Sequence, residues 1–542
     1  MRSAILIGLA VFCVVSLSAM CIMWFSQAAL AKKHIENVIA AINTPNPILT
    51  YDAIETSGFP TRLDINIVKP RINGRLDQWL MATQQPTMPA AGEWLENITF
   101  NGDIRISVNA LSNEYLFSFP YNWTSTPQIK QHKLSFASQA NSDAVCLVQF
   151  DNSFAFLKTL WNVESLLEQK WQYIRTFDCA LPEDRYVDLA TNKLLYSSKG
   201  GRLYITQAPH GDLNNLRVYF KLQDMEVTPE GDALFSHYTQ LVSNTPSRLA
   251  AYGVQNVETD FSYAGPRDVS TLTKDSNVEI HLNKFTYSSA LASYDAALQF
   301  SNYIDSTVHR GKLKLDAHAA FSLAYQTLLQ QMARQVVDQL YAAPSTAPAT
   351  MQAALQTYSA DEFFGYLRPS IPDLYSLGAL TQSIDLSYEG TPALNAGKAN
   401  LSQFEFSATP YGVTANGTAA LQANQLFPES DLTITCNNCF RLIDDIANYG
   451  ERLHGTLSKL SPAEAALFHI TPAYAQGMKS FLSAIATPST ENQAKNQLVF
   501  TIKSQPSGVS VSGKSLDEVM GLYSQHLAPY AKPADALPAL TP

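Results

Sequence analysis

Cys436-Asn437-Asn438-Cys439 is the cluster in this chain whose spacing comes nearest to covalent chemistry. It follows a strand-like run, Asp431-Leu432-Thr433-Ile434-Thr435, and precedes a helix-like one, Phe440-Arg441-Leu442-Ile443-Asp444. A thiol at a helix N-terminus is acidified by the helix dipole, as dithiol redox catalysis requires. However, no Trp stands before the first Cys and no proline lies between the two. The surroundings also lack alternating strands and helices. A structural bridge is therefore the expected role, with a thiol oxidoreductase using Cys436 and Cys439 as an alternative.

Cys146 and Cys179 flank a stretch with helical spacing, Phe154–Trp171. A bridge between them would close a loop worth roughly 3–4 kcal/mol in the chain-entropy model. Of six cysteines, Cys13 and Cys21 lie inside the apolar N-terminal segment; the other four allow three pairings, and the spacing alone does not choose among them. Zinc would need further ligands, and there is no second CxxC or paired-His motif. The ten histidines are scattered. His210 beside Gly211 and Asp212 reads as a turn. Gly508-Val509-Ser510-Val511-Ser512-Gly513 reads as a strand with glycines at both ends, not a nucleophile elbow. No phosphate-binding loop or dinucleotide fingerprint occurs. The expectation is a protein without catalytic residues, metal or cofactor.

The compartment is read from the first thirty residues. Ala4 to Phe25 is almost continuously apolar, and no charge occurs from Ser3 to Ala31. A signal core needs only about 7–15 apolar residues and a membrane-spanning helix about 20, so the span favours an anchor. Ala29-Leu30-Ala31 before Lys32 keeps cleavage open. The net charge of −10 argues against a nucleic-acid partner, because no basic stripe is present to neutralise phosphates.

At 542 residues the chain exceeds one ordinary core. The expected divisions are an anchor over 1–31 and a juxtamembrane helix and linker over 32–47. A β-rich region over 48–250, an α+β region over 251–530 and a disordered tail over 531–542 follow. Leu63, Ile65 and Ile67 alternate with Arg62, Asp64 and Asn66, the two-residue period of a half-buried strand. Further strands are expected at Ile98–Val108, Tyr115–Phe119, Ala144–Phe150, Arg202–Gln207 and Arg217–Leu222. Helices are expected at Lys32–Ile42, Asp316–Tyr341, Met351–Tyr358, Phe440–Tyr449, Pro462–Ile485 (broken near Pro472) and Ser515–His526. A faint echo links Asp260–Pro266 to Asp385–Pro392, Asn283–Tyr287 to Ser402–Phe406, and Ala297-Leu298-Gln299 to Ala420-Leu421-Gln422. It reads either as a duplicated meander or as convergent turn chemistry.

Two stretches carry a family likeness. Gly58-Phe59-Pro60-Thr61-Arg62-Leu63-Asp64-Ile65, with Val68-Lys69-Pro70-Arg71-Ile72, resembles the opening of domain-of-unknown-function family 2125, from proteobacterial envelopes. Gly412–Leu421, followed by Pro428 and Leu432-Thr433-Ile434, is similar to that family's late strands. The resemblance implies a compartment and an architecture, without chemistry; more distantly, the organisation is similar to AsmA-like envelope proteins associated with lipid handling. The expected fold is α+β, mainly antiparallel and curled sheet with packed helices, plus one N-terminal transmembrane helix. The expected function is that of a non-catalytic protein anchored in the bacterial inner membrane with its body in the periplasm. There it would bind lipid in a β-lined groove or, alternatively, act as an interaction scaffold for another envelope protein with no ligand.

Overall fold

The computed structural model describes residues 21–22, 24–37, 39–40, 43–44, 47–59, 62–75, 94–109, 114–129, 131–150, 174–210, 213–243, 253–266, 277–305, 307–391, 396–422, 428–465, 472–487 and 496–530. Most of the expected anchor (4–20), Pro60, the expected helix Phe154–Trp171 and the tail 531–542 lie outside them. Among the described residues, no helix is long and apolar enough to cross a membrane. The chain divides into two compact units, Met1–Tyr263 and Ala264–Pro542; the sequence placed the division at 250/251.

In the first unit the main sheet runs antiparallel through β1 (Ala53–Ser57), β2 (Arg62–Val68), β3 (Ile104–Asn109), β4 (Glu114–Phe119), β5 (Ala144–Phe150), β6 (Ile174–Leu181), β7 (Gly201–His210) and β8 (Leu213–Leu222). Its register sets Leu63, Ile65 and Ile67 against Val108, Ile106 and Ile104. One apolar face therefore continues from strand to strand. A helix covers its start: residues 24–37 and 39–40 are helical, and Ala31 and Ile39 pack with Ile54, Ile65 and Ile67. This helix begins earlier than the expected Lys32. A smaller sheet contains Trp94–Phe100, Trp123–Ser125, Phe136–Ala140, Asp184–Asp188 and Leu194–Ser198, and α1 (Pro229–Ser243) follows. The expected single strand Ile98–Val108 is thus two, divided between the sheets. Asn101-Gly102-Asp103 supplies the turn residues that break it.

β9 (Val254–Pro266) carries the chain across the boundary between the units. The second unit is a meander of β10 (Asn277–Ser289), β11 (Ala292–Ile304), β12 (His309–Phe321), β13 (Ala379–Thr391), β14 (Ala396–Ala408), β15 (Tyr411–Leu421), β16 (Glu429–Asn437), β17 (Gln497–Gln505), β18 (Gly508–Val511) and β19 (Lys514–Ser515). Two helical insertions interrupt it. The first is α2 (Leu323–Ala342), α3 (Ala349–Thr357) and α4 (Ala360–Leu367). The second is α5 (Cys439–Leu460), α6 (Pro462–Ala465) and α7 (Pro472–Ile485). α8 (Leu516–His526) closes the described chain, started by a Ser515–Glu518 capping box.

Two expectations need correction. Asp316–Phe321 is strand, and the helix starts only at Leu323, behind the Ser322 N-cap whose hydroxyl accepts the Tyr325 N–H. The alanines at 317, 319 and 320 suggest helix. In fact the run continues the period of Lys312, Lys314, Asp316 and His318, and exposure alternates strictly over 309–318. The expected curling is also absent: the described sheets neither curl nor close. β18 and β19 shorten to four and two residues, so the last edge cannot offer a ladder to a thirteen-residue strand.

The internal echo coincides with strand order. β9, β10 and β11 occupy the first copy, and β13, β14 and β15 the second. The middle strand of each carries an irregularity at the echoed position, between Leu282 and Phe285 and between Leu401 and Phe404. A fourth strand and a helical insertion then follow in both. A shared bulge position is more than restricted turn chemistry would impose, because bulges are specific features of a strand pair.

Candidate functional site

The register of the second unit sorts side chains onto two chemically opposite faces. One row reads Ile280, Phe300, Leu313, Leu386, Leu401, Gly417, Leu432, Ile502 and Val511. A second row, beside it, reads Leu282, Leu298, Leu315, Ile384, Phe404, Ala415, Ile434 and Phe500. At ordinary strand spacing the first row extends about 38 Å. On the other face stand Glu279, Lys312, Lys314, Asp385, Glu389 and Asp431, with Arg310 paired to Glu389 at 3.1 Å and Lys503 to Asp431 at 3.2 Å. That face is solvated, which leaves the apolar one to cover something.

The apolar face is not sealed. Phe300, Leu313, Leu315, Ile384, Leu386 and Phe404 are all only partly buried, and Phe406 is 50% exposed. In a close-packed interior such side chains would be almost fully covered. The helices explain the difference. They pack on one another around Val337, Leu355, Phe363 and Leu460, and their main contacts with the sheet fall late in the meander. α5 meets β15, α7 meets β17, and α8 meets β18 and β19. At one end of the face Tyr287, Tyr294, Phe321 and Tyr325 form an aromatic chain with centroids 5.6, 6.1 and 4.9 Å apart. Burial, with smaller contributions from Tyr325 and Tyr287, pushes the Tyr294 phenol above its ordinary value.

Cavities among the described residues open elsewhere, on the polar faces. One of about 520 Å³ in the first unit is lined by Lys199, Arg202, Tyr204, Arg217, Tyr219 and Lys221. Arg202 holds Asp178 through two hydrogen bonds of 2.8 and 2.7 Å, and Arg217 holds Asp260 through two of 2.9 Å. Both guanidiniums are thereby raised above their ordinary value, first by the hydrogen bond and then by the carboxylate charge. Their charge is satisfied internally. Another, about 240 Å³, lies in the second unit among Glu279, Ser301, Tyr303, Arg310 and Lys312. Among the described residues no group of His, Cys, Asp and Glu is placed to hold a metal ion.

Among the described residues four cysteines form two disulfides, and Cys21 is a free thiol. Cys146 and Cys179 stand directly opposite each other on β5 and β6 and are bridged on the apolar face. Cys436 is bridged to Cys439, with exposures of 5% and 7%. Cys436 lies on β16 and only Cys439 begins the helix, so the first thiol does not sit at the helix N-terminus.

Of the residues that carry the family resemblance, Gly58, Phe59 and Arg62 lie at the first hairpin turn, and Pro70 follows the far end of β2. Gly58 has φ +95°, and a Cβ there would stand 2.6 Å from the Arg62 carbonyl oxygen, so glycine is required. Phe59 stacks against Phe25 (6.3 Å) and meets Trp24 edge-on (5.6 Å), while the Trp24 indole N–H donates to the Arg62 carbonyl at 3.1 Å. The Arg62 guanidinium donates to Asp64, which is buried and also accepts from Ser107 at 2.5 Å. Pro70 is fully buried, and Pro60 lies outside the described residues. Sequence reading missed Trp24 and Phe25 as partners of this turn. Their aromatic character at the end of the apolar run was the available signal. No known family model, curated protein or solved structure matches this chain.

Proposed function

We propose that the chain is a non-catalytic envelope protein, held in the bacterial inner membrane by its N-terminal segment, whose second unit carries lipid acyl chains on the apolar face of β10–β14. The observation behind this reading is the incomplete burial of Phe300, Leu313, Leu315, Ile384, Leu386 and Phe404. Apolar area left in water costs about 25 cal/mol per Å², and acyl chains laid along the rows would remove that cost. Two disulfides suit an oxidising compartment such as the periplasm. The open form of the sheet suits chains entering from the side rather than a small molecule enclosed in a pocket.

Native mass spectrometry of the purified full chain, followed by solvent extraction, tests this. Acyl lipid should be recovered in stoichiometric amount from the wild type and lost from Leu313→Asp with the fold retained. Recovery of none would leave the scaffold reading, which the exposed Tyr388, Phe406 and Leu421 favour, because protruding apolar residues also suit a protein partner.

A further inference from the structure

The outer surface of the Gly58-Phe59 turn is more apolar than a solvated hairpin needs. Phe59 is 45% exposed, and beside it Phe25 and Ile22 are 63% and 68% exposed. The three aromatic rings of Trp24, Phe25 and Phe59 form one cluster, with centroids 5.1, 5.6 and 6.3 Å apart. The indole N–H is already satisfied by the Arg62 carbonyl. Phe59 is fixed in this place by a turn that only glycine can make at 58.

The chain itself says what this patch meets. Residues 4–25, as a helix, would reach about 33 Å, against about 30 Å of hydrocarbon in a bilayer. The end of that run, at Trp24 and Phe25, then falls at the membrane–water interface, where aromatic belts lie. Lys32 and Lys33 are exposed about 10 Å further along the helix, at headgroup depth. The Arg62 guanidinium at the same turn is held by Asp64.

We infer that the Phe59 turn is a membrane-contact surface of the first unit, seated with Trp24 and Phe25 in the headgroup–acyl boundary of a phospholipid bilayer. It rests on the reading of residues 4–25 as a membrane anchor and goes beyond it. The folded body is not tethered loosely but rests against the lipid through its first hairpin. The partner is the bilayer itself, with Lys32 and Lys33 facing lipid phosphates.

The test uses the full chain in vesicles of phosphatidylethanolamine and phosphatidylglycerol, with p-benzoylphenylalanine placed at position 25 or at position 59. After irradiation, lipid adducts should appear at both positions in comparable yield. Adducts at 25 with none at 59, or with 59 joined only to protein, would overturn the contact while leaving the anchor standing. No adduct at either position, from protein that washes off the vesicles, would overturn both. Because a bulkier ring at 59 could disturb the turn, Phe59→Ser provides a second arm. It should leave the unfolding midpoint of the body nearly unchanged and red-shift the emission of vesicle-bound Trp24, measured with the other tryptophans replaced by Phe. An unchanged spectrum would count against the contact.

Discussion

The two units share one pattern and cover it differently. In the first, strands β1 to β3 set Ile54, Ile65, Ile67 and Ile106 on an apolar face, and the N-terminal helix lies across it with Ala31 and Ile39 buried. In the second, β10 to β14 set an equally apolar face, and its own helices turn aside to pack mainly on each other. Alternation makes an apolar face but does not decide what covers it. That is settled by helices elsewhere in the chain: one lies on the first unit's early strands, whereas those of the second unit meet its sheet at β15 and β17 to β19.

The difference appears in the energetics of matched truncations. Ile65→Ala, at 4% exposure, should cost about 2–5 kcal/mol, read from the urea midpoint of the first unit. The disulfides come next. Cys146→Ser with Cys179→Ser should cost roughly 3–4 kcal/mol in the chain-entropy model, whereas removing the short Cys436–Cys439 loop should cost about 2. Equal losses would show that loop length is not the controlling variable. Leu313→Ala removes a partly buried side chain and should cost only about 1–2 kcal/mol. If it matches Ile65→Ala, the face is covered in solution and the contrast between the units fails.

The smallest expected effect is electrostatic. Burial raises the carboxyl of Asp184 above its ordinary range, only partly offset by the Ser198 hydroxyl that donates to it at 2.8 Å. The folded state therefore binds this proton more tightly than the unfolded chain. Its stabilising contribution is complete below about pH 4 and is lost as pH rises through the raised folded value. Asp184→Asn should flatten that part of the stability curve of the first unit, measured by urea unfolding from pH 3 to 7. An unaltered slope would show that Asp184 titrates normally.

Much of the strand content was legible because period two is a local property. Leu63, Ile65 and Ile67 announce β2, and Cys146 lies in the expected strand Ala144–Phe150. The reading failed where local composition outweighed period, as when the alanines of β12 suggested helix. It failed again where a three-residue turn, Asn101-Gly102-Asp103, divided one apparent strand between two sheets. The candidate site was legible only in half. The alternation of Val278, Ile280 and Leu282 with Glu279 and His281 is a local mark of an apolar strand face, but its exposure depends on which strands the helices α2 to α7 touch, and that is a long-range outcome. Likewise Phe59 could be read as a core residue at a strand entrance. Its contact with Trp24 joins residues too distant in sequence for any spacing rule.

The most direct measurement is photolabelling of the full chain with a diazirine-bearing fatty acyl phospholipid, followed by peptide mapping. Labels should concentrate on the apolar-face residues of Ala292–Ile304, His309–Phe321 and Ala379–Thr391, and should be displaced by unlabelled phospholipid. Labels confined to the N-terminal segment, or none displaceable from those three strands, would contradict the claim that the second unit's open face holds acyl chains.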